Sequence, residues 1–103
     1  MSAVHNYSRV VRKRIELKED EARANIGKRV AYYYSYADNP EDIGVLISVD
    51  YNRFYIAFDF ITKDEDKKTG SPVSQGAKLR LITPEEELTV KTVRQQMILR
   101  AGE

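Results

Sequence analysis

The chain has no cysteine and no tryptophan, and only one histidine. Without cysteine there is no disulfide framework, no thiol nucleophile and no Cys-based zinc or iron–sulfur site, which fits a reducing, cytoplasmic location. His5 lies in the N-terminal arm, and a single imidazole leaves a zinc site short of good ligands. The five glycines, Gly27, Gly44, Gly70, Gly76 and Gly102, are widely spaced. That excludes a glycine-rich phosphate loop. No apolar run approaches the roughly 18 residues of a membrane span, and the N-terminus lacks the apolar region of a secretory signal. With 103 residues the expectation is one domain, with a core too small to enclose a large cofactor.

Charge of either sign is scarce only in the sum. Seventeen Lys and Arg face sixteen Asp and Glu, a formal net charge of +1. In order along the chain the charges are segregated. Residues 1–17 form a basic arm carrying Arg9, Arg12, Lys13 and Arg14. Lys18–Gly27 reads as a short helix with its acids in the first turn, where the dipole favours them, and Gly27 closing it. The paired carboxylate runs offer little catalytic promise. Asp64-Glu65-Asp66 lacks the alternating ligands and turn glycine of a calcium loop, so it reads as a solvated charge run. Glu85-Glu86-Glu87 suits a helix N-terminus. The expectation is therefore a protein that is not an enzyme and uses no cofactor, with a carboxylate pair meeting only in three dimensions as the remaining catalytic alternative.

The period of the apolar residues changes to two after Gly27. Lys28–Tyr36 places Val30, Tyr32, Tyr34 and Tyr36 on one face and Ala31, Tyr33 and Ser35 on the other, as a strand does. Pro40 sits in turn chemistry that stops it. Ile43–Val49 alternates again, with Gly44 marking a bulge or a close backbone approach. Asp50-Tyr51-Asn52-Arg53 is a tight connection to a third strand, Phe54–Ile61, whose Phe54, Ile56, Phe58 and Phe60 share the core-facing side. These strands make an antiparallel meander. Residues 62–76 are polar and rich in breakers, which predicts a mobile surface loop. Ala77–Ile82 resumes a strand, with Leu79 and Leu81 alternating against Lys78 and Arg80. Thr83-Pro84-Glu85-Glu86 is a capping-box helix start, although Leu88–Val93 also alternates like a strand.

The resulting fold class is mainly β with flanking helices (α+β): a partly open small barrel over residues 18–82, with a C-terminal helix in 83–103. Ile26-Gly27-Lys28-Arg29-Val30, an acidic turn, and then Gly44-Val45-Leu46-Ile47-Ser48-Val49 resemble the opening of small SH3-like barrels. Short proteins of bacteriophages and mobile elements often have this arrangement, and the resemblance spans roughly residues 18–82. It implies a fold and no particular activity. Tyr33-Tyr34-Ser35-Tyr36 with Glu41-Asp42 is also similar to peptide-binding SH3 domains. The missing tryptophan and the lack of a later Pro-x-x-Tyr element argue against proline-motif binding.

Nine of the ten aromatic residues fall between Tyr32 and Phe60. A short chain covers only one face of a three-stranded sheet well, so parity sends some tyrosines outward. Tyrosine suits such a face, giving contact area while its hydroxyl stays wet. The expected protein-binding residues are Tyr33, Tyr34, Tyr36, Tyr51, Arg53 and Tyr55. The expected partner is a protein, a host protein for a phage-type binder or inhibitor, or a second copy of the chain. The nucleic-acid alternative rests on Arg9, Arg12, Lys13, Arg14, Lys28 and Arg29 with stacking tyrosines, and the near-zero net charge weighs against it. A structural role in a particle is the third class, docking through the basic arm and the C-terminal helix.

Overall fold

The computed structural model describes residues 17–33, 41–75 and 78–101. The elements run α1 (Glu19–Arg23), β1 (Arg29–Tyr32), β2 (Asp42–Val49), β3 (Arg53–Phe58), α2 (Asp64–Thr69), β4 (Ser71–Ser74), β5 (Leu79–Leu81) and α3 (Pro84–Ala101). The five strands form one antiparallel sheet in the order β4-β3-β2-β1-β5. It is an α+β architecture with an open sheet and a C-terminal helix. The meander β1-β2-β3 is as the alternating pattern predicts. The last strand then returns to pair with the first.

Both faces of the sheet are covered. On one side Val30, Tyr32, Leu46, Val49, Phe54, Ile56, Phe58 and Leu79 pack with Ala22 of α1, and Leu17, Ile61 and Val73 close the edges. Each fully buried Leu, Ile or Phe there contributes about 1.5–3 kcal/mol relative to exposure. On the other side Ala31, Ile43 and Ile82 meet Val90 and Val93 of α3, with Tyr33 and Met97 packed alongside. The tyrosine face expected to be open is thus partly occupied by α3. Tyr32 is a core residue, and its hydroxyl donates to the Ser74 carbonyl at 3.3 Å.

α3 is helical throughout 84–101, Leu88–Val93 included. Its start is the expected capping box: the Glu86 N–H donates to Thr83 Oγ1 (3.2 Å) and the Thr83 N–H donates to Glu86 Oε1 (3.1 Å). Pro84 takes the first helical position, where its missing N–H costs nothing.

Four expectations are corrected. Residues 62–76 are not a loop throughout, because they contain α2 and β4. α2 buries no side chain; acids in its first turn and lysines in its last suit the dipole. β4 tolerates Pro72 because it is an edge strand among the described strands, where it pairs with β3 alone. The alternation of β2 is not continuous, since the register shifts between Leu46 and Ser48. The extra residue turns Val49 toward the α1 side, whereas Ile43 faces α3. Third, β3 ends at Phe58, so Phe60 leaves the core face and is 62% exposed, its ring stacked on Phe58 at 5.1 Å. Fourth, Arg80 rather than Leu81 is buried in β5. Arg80 shares the α3 side with Ala31, its cross-strand partner.

Gly44 lies where two backbones nearly touch. A Cβ there would fall 2.4 Å from the Ala57 carbonyl oxygen, so the residue marks a close approach while the bulge sits farther along the strand.

Candidate recognition site

The β2–β3 hairpin carries two surface features, one at each end. At the tip, Asp50 organises the turn. Its N–H donates to the Arg53 carbonyl (2.9 Å), and its carboxylate accepts from the Tyr51 N–H and from the Tyr55 hydroxyl (3.3 Å). Gln75 braces the same turn from after β4: its Nε2 donates to the Asp50 carbonyl (2.6 Å) and its N–H donates to the Asn52 carbonyl (3.2 Å). Tyr51 is 84% exposed on this braced turn. Arg53 is also exposed and Tyr55 is half-buried.

The predicted tyrosine set is therefore divided. Tyr51, Arg53 and Tyr55 come together at the tip. Tyr33 is half-buried against the α3 cluster, away from them. Tyr34 and Tyr36 lie outside the described residues.

At the other end, the start of β2, the turn after β3 and the middle of α3 enclose an open groove of about 280 Å³. Its apolar lining is Ile43, Val90 and Phe60. Ile43 and Val90 are buried contributors to the second core, so the floor is rigid. Phe60 is the wall, and nothing polar on its ring compensates for its exposure. Exposed apolar surface next to a concavity is the usual mark of an interaction site.

The rim is charged with both signs. Arg94 Nη2 donates to Asp42 Oδ1, pairing α3 with the start of β2. Arg29 donates to both oxygens of Asp59, at 2.8 and 2.6 Å, and to both oxygens of Glu87, at 2.9 and 3.2 Å. Hydrogen bonding to Arg29, with its positive charge, holds the Asp59 carboxyl below the usual carboxylate range, against a smaller opposing effect of burial. The hydrogen bonds it donates to Asp59 and then to Glu87 raise Arg29 further above its ordinary value. Asp59 is thus held as an anion and is poorly placed to take up a proton near neutrality.

The predicted nucleic-acid residues fare differently. Lys28 is exposed. Arg29 spends its guanidinium on two carboxylates of its own chain. Arg9, Arg12, Lys13 and Arg14 lie outside the described residues. Among the described residues no three His, Asp or Glu side chains gather as a metal site, and no helix is long and apolar enough to cross a membrane.

Sequence reasoning missed the groove because its walls come from residues 41–43, 59–60 and 90–94, far apart along the chain. The one local signal was Phe60 following Asp59, a polar residue at the end of an aromatic strand. Compared with protein-family models, curated proteins and solved structures, the chain matches none.

Proposed function

We propose that this chain is a non-enzymatic protein-binding module that accepts an apolar side chain of a protein partner in the groove between α3 and the β2–β3 hairpin. The observation that carries this reading is Phe60, a phenylalanine largely in water beside an apolar floor fixed by the core. A groove of this size takes one side chain rather than a cofactor. Its mixed-sign rim, with Asp42 and Arg94 on one side and Asp59 and Lys91 on the other, favours a polar segment flanking that side chain. Tyr51, Arg53 and Tyr55 at the hairpin tip supply a second contact area of the aromatic and arginine composition enriched at binding hot spots.

The strand order supports reading the sheet as an SH3-like small barrel left open between β4 and β5, since the meander's fifth strand returns to the first. With that resemblance, the proposed role is that of a phage-type accessory protein that binds or inhibits a host protein.

Affinity capture from bacterial lysate tests the reading, with wild type, Phe60→Ser, and Lys68→Ala as a distant surface control. A protein recovered by wild type and Lys68→Ala but lost by Phe60→Ser, at unchanged unfolding midpoint, supports it. Identical recovery by all three overturns it.

A further inference from the structure

α3 has a second face that takes no part in the core among the described residues. Val90, Val93 and Met97 turn toward the sheet. Leu88, Thr92, Gln95 and Leu99 recur at helical spacing, which aligns them in one stripe on the opposite side. Leu88 is 69% and Leu99 63% exposed. The stripe carries no charge. Thr92 also spends its hydroxyl inside the helix, donating to the Leu88 carbonyl at 2.8 Å, which leaves the stripe less polar than its composition suggests.

The stripe is symmetric about the step from Val93 to Arg94. Leu88 and Leu99 are equidistant from that point, and so are Thr92 and Gln95. Two such helices packed antiparallel about a two-fold axis therefore bring Leu88 of one copy against Leu99 of the other, and Thr92 against Gln95. The flanking charges match as well. Glu85 and Arg100 project on the same side of the stripe, at opposite ends of the helix. A two-fold antiparallel pair sets same-side positions of the two copies beside each other, so Glu85 of one copy lies two residues, about 3 Å along the axis, from level with Arg100 of the other, a gap these long side chains span. Neither residue has an ion-pair partner among the described residues. The helix macrodipoles also run opposite in this arrangement, acidic start beside basic end.

We infer that α3 is a homodimerisation helix whose occupant is a second copy of this chain, packed antiparallel through Leu88, Thr92, Gln95 and Leu99. Such an isologous contact is self-complementary and closes at two copies. With two leucines per copy, one at each end of the stripe and Thr92 and Gln95 between them, it makes a reversible dimer whose population depends on concentration. The groove is lined from α3 by Val90, Lys91 and Arg94, none of which belongs to the stripe, so this inference stands or falls independently of the proposed binding activity.

Sedimentation equilibrium of the full chain over roughly a hundredfold range of concentration reads the outcome. Wild type is expected to rise from the mass of one chain toward that of two, and Leu88→Gln/Leu99→Gln to remain at one. Glu85→Arg alone and Arg100→Glu alone are each expected to weaken association about tenfold at low salt, and the two combined in one chain to restore it. A mass of one chain at every concentration overturns the inference. So does a dimer that Leu88→Gln/Leu99→Gln leaves intact. Failure of the combined charge exchange to restore association overturns the antiparallel arrangement.

Discussion

Arg80 of β5 and Glu41, just before β2, form an ion pair withdrawn from water: Arg80 Nη2 donates to Glu41 Oε1 at 2.5 Å, with side-chain exposures of 3% and 0%. Arg80 Nη1 donates in turn to Glu86 of α3 at 3.0 Å. One guanidinium thus ties the last strand, the entry to the second strand and the start of α3. Glu86 serves twice, because its other oxygen completes the capping box with Thr83.

Removing Glu41 takes one of its two carboxylates from the buried Arg80 guanidinium and leaves that charge only partly compensated by Glu86, so Glu41→Ala is expected to cost about 3 kcal/mol. That is a large fraction of the roughly 5–15 kcal/mol that holds a domain together. Replacing both, as Glu41→Leu/Arg80→Met, is expected to be less harmful than Glu41→Ala, because no charge remains at the two fully buried positions and Glu86, which loses Arg80, keeps some contact with water and its bond to the Thr83 N–H. Urea unfolding followed by circular dichroism gives both values. A double variant less stable than the single one would show that the pair itself, rather than the stranded charge, carries the stability.

Gly44 and Gly27 separate steric from conformational causes. At Gly44 an added methyl meets the Ala57 backbone at 2.4 Å, and a paired strand cannot give way cheaply. Gly44→Ala is therefore expected to cost about 1–3 kcal/mol or more. At Gly27 the space is open, but φ is +92°. Gly27→Ala then pays only for the unfavourable dihedral, about 1–2 kcal/mol. The same unfolding assay is expected to rank Gly44→Ala as the more damaging. The reverse order would mean that β2 and β3 separate more readily than their register implies.

What could be read from the residues follows the range of the forces involved. The meander was legible because strand alternation and turn chemistry are local, and so was the capping box of Thr83 and Glu86. The bulge in β2 was hidden because Ile43, Val45, Ile47 and Val49 alternate without a break; only pairing with β3 reveals the extra residue. α2 was hidden because it is stabilised by its charge order and buries nothing. Arg80 stood in a strand where alternation assigns a charged residue to solvent, and α3 then covered that face. For the candidate site the outcome is mixed. Tyr51, Arg53 and Tyr55 are grouped because one hairpin carries them, whereas Tyr33 directly follows β1, a strand whose outer face α3 covers. The groove needed three separate segments to meet, and composition does not show that.

Acid unfolding is expected to report the Arg29–Asp59 pair. The Asp59 carboxyl titrates below its ordinary value in the folded chain, mainly because Arg29 hydrogen-bonds its anion. A depressed folded pKa contributes stability that is complete above the unfolded value, near pH 4, and disappears as the pH falls through the folded value. Arg29 keeps its charge throughout that range and adds no pH dependence of its own. The pair is partly solvated, with side-chain exposures of 37% and 46%, so the contribution is at most about 1 kcal/mol and weakens with salt. The measurement is the difference in unfolding free energy between wild type and Asp59→Asn, in which the other carboxylates cancel. It is expected to be constant between roughly pH 5 and 8 and to shrink below about pH 4. A difference that grows on acidification would mean that Asp59 is destabilised as an anion, contrary to its two hydrogen bonds from Arg29.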